Sequence, residues 1–165
     1  MPYATSPPFP FTSVPTLPVS FSTIPAFHAC HMELVQEEPP IDLDDPSWPI
    51  LTRAIANRAS AQVCAGASVE ASLVAPGAKV AGDVHGSVLG RGVIVEKGAT
   101  VRDSVLLPGA IVRAGATVTR AIIDDHVDVR ADVGEPGGAI ALIGLHTTVD
   151  ETLPAGARYP EVDSD

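Results

Sequence analysis

A 17-residue repeat constrains the fold of this chain more than any other feature. Residues 87–103 are matched by residues 104–120, and a third copy begins at Ala121. Within the copies, large aliphatic residues recur at steps of six, six and five: Leu89, Val95, Val101, Leu106, Val112, Val118, Ile123 and Val129. Residues six apart fall on nearly opposite faces of an α-helix. The repeat therefore predicts short strands separated by corners, arranged in a three-sided coil.

Glycines mark the corners of this predicted coil. Gly92 and Gly109 hold equivalent places in two copies, as do Gly98 and Gly115. Glycine suits a corner because it adopts positive φ without a steric penalty. Stacked coils lie about 4.8 Å apart, so four coils would make a prism roughly 20 Å tall.

Less regular sequence flanks the two clear copies. An imperfect coil begins at Ser72, and a partial coil around Gly66 precedes it. Residues 82–86 break the register, and we expect them to bulge outward. After a Gly- and Pro-rich loop at 134–138, the apolar run 139–145 is predicted to cap the prism as a last strand.

Hexapeptide repeats of this kind resemble those of left-handed parallel β-helices, and the handedness follows from that resemblance alone. The predicted fold class is all-β: a left-handed parallel β-helix of hexapeptide repeats with a short N-terminal helix and a disordered Pro-rich N-terminal tail. Four segments are expected: the tail 1–21, a remnant helix and acidic Pro-rich linker 22–50, the β-helix 51–160, and an acidic tail 161–165.

The helix is predicted over residues 24–35, where apolar residues recur every three or four positions. Thr23 is the expected N-cap, and Pro25 suits the first turn. Trp48 is expected to pack on the open end of the prism.

Charge argues against nucleic-acid binding. The net charge is −10, but residues 51–132 carry nine basic and eight acidic groups and are nearly neutral. No basic stripe is available to neutralise phosphates.

Cys30 and Cys64 lack metal-site spacing and are expected to be free thiols. Without a basic leader or an apolar run of about 20 residues, we expect a cytoplasmic protein that binds neither nucleic acid nor membrane.

Five segments carry a more specific resemblance. They are His-Met-Glu-Leu-Val at 31–35, Pro-Pro-Ile-Asp-Leu-Asp-Asp-Pro at 39–46, Trp-Pro-Ile at 48–50, Ser-Val-Leu-Leu-Pro-Gly at 104–109 and Ala-Ile-Ile-Asp at 121–124. Together they resemble the C-terminal third of glucose-1-phosphate adenylyltransferase, over about residues 22–133. The resemblance implies a β-helix that normally follows an α/β nucleotidyltransferase domain. That family makes ADP-glucose and pyrophosphate from ATP and glucose 1-phosphate with Mg²⁺, for glycogen synthesis.

The chain departs from the family at its catalytic residues. Where the family has Asp-Val-Gly-Thr-Ile with a metal-binding Asp, residues 20–24 read Ser-Phe-Ser-Thr-Ile, and Ser20 is a poor Mg²⁺ ligand. We therefore interpret the chain as a truncated C-terminal part that is inactive alone and serves oligomerisation or regulation. No catalytic, cofactor-binding or metal-binding residue is assigned. The expected partner is a second copy or an intact adenylyltransferase subunit.

The alternative is a stand-alone hexapeptide-repeat acyltransferase, which would use a surface histidine as general base. His126 is the first candidate and His85 the second, although both are more often exposed corner residues. A metal site at Asp124, Asp125, His126 and Asp128 lacks a known ligand spacing.

Two further sets of residues are interpreted as structural or solvated. Three serines are expected to form a ladder at the corners: Ser72, Ser87 and Ser104. Four arginines are interpreted as surface charges rather than an anion site: Arg91, Arg102, Arg113 and Arg120.

Overall fold

The computed structural model describes residues 23–43, 45 and 59–160. The long second range forms an all-parallel β-solenoid of about six turns. The predictions for the tail 1–21, for Trp48 and for the acidic tail 161–165 lie outside the described residues. The all-β class and the parallel hexapeptide coil are confirmed.

Three parallel sheets form the sides of the solenoid. Sheet A contains β1 Gln62–Val63, β4 Lys79–Val80, β7 Ile94–Val95, β10 Ile111–Val112, β13 Asp128–Val129 and β15 Thr148–Val149. Sheet B contains β2 Ser68–Glu70, β5 Asp83–His85, β8 Thr100–Arg102 and β11 Thr117–Thr119. Sheet C contains β3 Leu73–Val74, β6 Val88–Leu89, β9 Val105–Leu106, β12 Ala121–Ile123, β14 Ala141–Ile143 and β16 Arg158–Tyr159.

The hexad aliphatics fill the interior. All eight that define the predicted period, from Leu89 to Val129, are at most 1% exposed. In sheet A, Val95 is aligned with Val80 on one side and Val112 on the other. Full burial of each such side chain contributes about 1.5–3 kcal/mol. The periodic column is therefore the hydrophobic core of the protein.

The predicted bulge at residues 82–86 is wrong. Residues 83–85 form β5, which pairs with β2 and β8, and Val84 is buried. Because Val69 pairs with Val84, this coil is shorter than the regular repeat. The coil is shortened at Gly82, where a corner is tightened and a Cβ atom would overlap the carbonyl oxygens of Ala99 and Glu96. Glycine permits this close backbone approach.

The solenoid also continues beyond the predicted cap. Residues 141–143 form β14, which is paired on both sides, with β12 and β16, so it is not the last strand. Because Ala121 pairs with Ala141, this coil is longer than the regular repeat and accommodates the loop at 134–138. Sheets A and C have six strands each, so the solenoid has more turns than the four coils expected from the sequence. The final turns were not predicted because their coils do not keep the regular 17-residue period.

The predicted helix is confirmed with an earlier end. Helix α1 spans Ile24–Glu33, and the Thr23 hydroxyl accepts a hydrogen bond from the backbone N–H of Ala26 at 3.3 Å. Pro25 lies in the first turn, where its missing N–H removes no helical bond.

Buried His28 joins α1 to the solenoid. Its Nε2–H donates to the backbone carbonyl of Asp103 at 2.6 Å, and the residue is only 4% exposed. Burial lowers the pKa of His28, and nearby Arg120 lowers it further. The Nε atom of Arg120 is itself buried and has no hydrogen-bond partner among the residues that the structure describes. The junction therefore favours a neutral imidazole.

Three serines form a ladder at one corner, as the sequence predicted. Each hydroxyl donates to a carbonyl two residues earlier and accepts the backbone N–H of the next coil. Ser104 Oγ thus donates to Arg102 at 2.6 Å and accepts from Ala121 at 3.1 Å. Ser87 makes the same pair of bonds to His85 and Ser104. Because these hydroxyls satisfy buried backbone groups, the serines are structural.

We expect Ser104→Ala to lower the free energy of unfolding by about 1–3 kcal/mol, because it leaves the buried N–H of Ala121 without an acceptor. Chemical denaturation measures the change. Exposed Ser68, outside the ladder, is the control, and its alanine variant should change stability by less than about 0.5 kcal/mol. Equal effects of the two substitutions would contradict the ladder.

Docking of α1 should weaken below about pH 6.5, the ordinary pKa of histidine. The folded protein lowers the pKa of His28, so this contribution is present above the unfolded-state pKa and is lost as the pH falls towards the folded-state pKa. Hydrogen exchange in α1, corrected for intrinsic rates, should accelerate on acidification. In His28→Gln, whose amide can still donate to Asp103, this pH dependence should vanish; its persistence would assign the effect to another group.

Candidate functional site

A polar groove lies on the outer face of sheet B. Its volume is about 260 Å³, and it crosses strands β2, β5 and β8. Alternate residues of these strands face outward because the central residues, such as Val84 and Val101, point into the core. The polar lining comprises Ser68, Glu70, Asp83, His85, Thr100 and Arg102.

The groove carries charges of both signs. His85 Nε2 lies 3.8 Å from Glu70 Oε2, which is beyond hydrogen-bond distance. Arg102 forms no ion pair with residues in the described ranges. The groove thus offers hydroxyl, carboxylate, imidazole and guanidinium groups to a small polar ligand. Its histidine is not held by a short hydrogen bond of the kind that orients a general base.

The acidic cluster around His126 does not converge on one site. Asp128 accepts hydrogen bonds from Arg113 and Arg130, and Asp124 accepts one from the backbone N–H of Asp125 at 2.8 Å. His126 is exposed at a corner with φ +56°. Within the described ranges, no group of three or more His, Cys, Asp or Glu side chains is placed to hold a metal ion.

The structure instead brings His126 next to His146, a residue that the sequence analysis did not select. The two imidazole rings are parallel to within 3°, with centroids 5.4 Å apart. They occupy the same corner of consecutive coils, since each precedes one strand of the β13–β15 pair. The sequence signal was hidden because the coil between the two histidines is longer than the regular repeat, which shifts His146 out of register.

A column of alternating charges crosses sheet A. Arg113 forms a bidentate pair with Asp128 at 2.7 and 3.0 Å and a third bond to Glu96 at 3.0 Å. Arg130 connects Asp128 to Asp150. Hydrogen bonds from Arg113 hold the pKa of Asp128 below its ordinary value, with a further contribution from Arg130. The guanidinium of Arg113 is thus engaged by acids of the same chain.

The four arginines considered as an anion site occupy different places. Arg102 lines the groove of sheet B, whereas Arg113 belongs to the charge column. Arg120 lies beside His28 at the helix junction. Arg91 accepts a backbone bond from Gly109 through its carbonyl oxygen at the corner near His126. The structure therefore does not assemble them into one site.

Comparison with known proteins shows what this chain is similar to. Residues 56–136 match a family model described as GlmU-like, C-terminal hexapeptide. The glucose-1-phosphate adenylyltransferase of Corynebacterium efficiens is 45% identical over 79 residues, 47% of this chain and 19% of that enzyme. The enzyme of the same name from Cutibacterium acnes is 33% identical over 143 residues, 77% of this chain and 35% of that enzyme.

This chain is homologous to the C-terminal hexapeptide region of glucose-1-phosphate adenylyltransferase. The Corynebacterium jeikeium enzyme extends the match to 110 residues at 39% identity, 66% of this chain and 27% of that enzyme. The family resemblance inferred from the sequence is confirmed. The chain spans between about a fifth and a third of the length of these relatives. No helix in its described part has the length and hydropathy of a membrane span.

Arg113→Gln should raise the pKa of Asp128 towards its ordinary value of 3.8, because the carboxylate loses its main hydrogen-bond donor. Carboxyl-carbon NMR titration measures the pKa. Since a lowered carboxyl pKa stabilises the fold above the unfolded-state pKa, the variant should also lose less stability on acidification. Arg91→Gln is the matched control, and an identical titration of Asp128 in the wild type and Arg113→Gln would contradict the assignment.

Proposed function

We propose that the β-solenoid of this chain serves as the association region of a glucose-1-phosphate adenylyltransferase, that the solenoid is not itself catalytic, and that it acts in the cytoplasm. Its partner is a second copy or an intact adenylyltransferase subunit, whose oligomerisation or regulation it would affect. The relatives named for that activity and the form of the solenoid surface support this proposal.

An outward-facing apolar stripe on sheet C is the observation that carries the proposal. The strand register aligns five residues that alternate with the inward core column: Leu73, Val88, Val105, Ile122 and Leu142. Val105 and Ile122 are 1% and 4% exposed although they point away from the core, and His28 brings α1 to the corner that precedes β9. The other three are half-buried. Leu73, Val88 and Leu142 are therefore the part of the stripe left at the surface, and apolar surface of this kind favours contact with another protein.

The association can be tested with a charge placed on the stripe. Leu142→Asp should weaken self-association, or binding to the intact Corynebacterium efficiens enzyme, because it buries a carboxylate in the contact. Light scattering and co-purification measure the two interactions. Leu145→Asp is the control, since Leu145 is 57% exposed and lies outside the stripe. A wild-type chain that neither self-associates nor binds the enzyme would refute the proposal.

We further expect the pure chain to form no ADP-glucose from ATP, glucose 1-phosphate and Mg²⁺. The described residues build a solenoid and one helix, and the groove on sheet B places one arginine and one histidine beside two carboxylates rather than the convergent cations that stabilise phosphoryl transfer. Detection of pyrophosphate by a coupled assay is the measurement. The intact relative assayed beside it is the positive control, and turnover by the pure chain would contradict the expectation.

The exposed imidazole of His85 in the groove is the observation behind a second candidate, the stand-alone acyltransferase, although Glu70 lies too far away to orient it by a hydrogen bond. In that case the chain should consume acyl-CoA with an alcohol or amine acceptor. His85→Ala should then abolish the reaction if the groove is the active site, whereas loss of the reaction in His126→Ala alone would place the active site at the corner. Absence of acyl-CoA binding, measured by calorimetry, removes this candidate.

A further inference from the structure

Two histidines from consecutive coils meet at one corner of the solenoid. The backbone N–H of His126 donates to Pro108 at 3.0 Å, and that of His146 donates to Asp125 at 2.9 Å. These bonds tie each histidine to the coil before it. The corner therefore fixes both α-carbons in consecutive coils, and only the side chains are free to adjust.

Both residues adopt a backbone conformation that usually favours glycine. Their φ angles are +56° and +57°, in the left-handed region. In two earlier coils the same corner is occupied by Gly92 and Gly109, with φ +68° and +74°. A side chain costs free energy in this conformation, although histidine tolerates it better than most residues. Strained positions of this kind concentrate at functional sites, so the side chains themselves call for an explanation.

The missing side chain at Gly109 makes room for the first imidazole. A Cβ atom at Gly109 would overlap Nδ1 and Cε1 of His126. The ring of His126 thus lies between Gly109 and the parallel ring of His146. Both histidines are exposed, so the pair lies at the surface of the protein.

We propose that His126 and His146 form a two-imidazole surface chelate for a borderline divalent cation of the Ni²⁺, Cu²⁺ and Zn²⁺ class. Imidazole nitrogen suits these ions, whereas Mg²⁺ and Ca²⁺ prefer oxygen ligands. Metal–nitrogen bonds of about 2.0–2.1 Å require the two ligating nitrogens to approach to about 3–4 Å. The proposed chelate requires the two exposed rings to rotate out of their parallel stack while the α-carbons stay in place.

The neighbouring charges are compatible with a cation at this corner. Asp124 and Asp125 immediately precede His126 in the chain and lie on the same corner. Asp128 is engaged by Arg113 and Arg130 and is not offered as a ligand. Water completes the coordination, so the proposed chelate needs no third protein side chain.

Calorimetric titration of the full chain with Ni²⁺ tests the proposal. One ion per chain should bind, and His126→Asn and His146→Asn should each weaken binding by about ten-fold or more, because the second ligand no longer acts intramolecularly. Asparagine is chosen because it also tolerates positive φ. His85→Asn and His31→Asn are the matched controls, and they should leave the affinity unchanged.

A second measurement uses the unsubstituted protein and so does not depend on the variants folding. In proton NMR, small additions of paramagnetic Ni²⁺ should broaden the imidazole signals of His126 and His146 together, at lower concentration than those of His31 and His85. Broadening of a single histidine, unchanged affinity in His126→Asn and His146→Asn, or loss of affinity in the control variants would each overturn the proposal.

Discussion

Each coil of this protein is hydrogen-bonded to the next at strand spacing, and this parallel pairing requires every inward side chain to lie above its equivalent in the coil before. Val95 is placed between Val80 and Val112 for this reason. A coil of different length can keep the pairing only if the change falls at a corner. The chain meets that requirement at Gly82, where a corner is tightened, and at residues 134–138, where one is enlarged.

Because side chains fill the interior, chemistry and binding are confined to the outer faces and corners. The three sheets differ there: sheet A carries the charge column around Arg113, sheet B a polar groove, and sheet C an apolar stripe. At the corners, backbone N–H groups need acceptors outside the strand ladders, and the chain must turn sharply. Serine hydroxyls supply acceptors at one corner, and glycine or histidine adopts positive φ at another. The region that is homologous to part of an adenylyltransferase therefore presents three chemically distinct faces.

The regular period predicted the inward residues, the corners and the serine ladder, because each depends on spacing within one or two coils. The cap at Thr23 was also predictable, since a hydroxyl before an apolar-periodic segment is a local signal. The outward bulge at residues 82–86 and the cap at 139–145 were wrong. In both cases a corner of unusual length broke the repeat in the sequence without breaking the pairing of the strands.

The sequence by itself determined a parallel hexapeptide solenoid and its buried column, because these follow from local spacing and residue identity. Only the tertiary structure decided which surface residues meet. The contact of His28 with Asp103 joins residues 75 apart and depends on how α1 docks. The stacking of His126 on His146 depends on the length of one enlarged coil. Neither is encoded in a local pattern, since both result from the summed lengths and packing of the segments between.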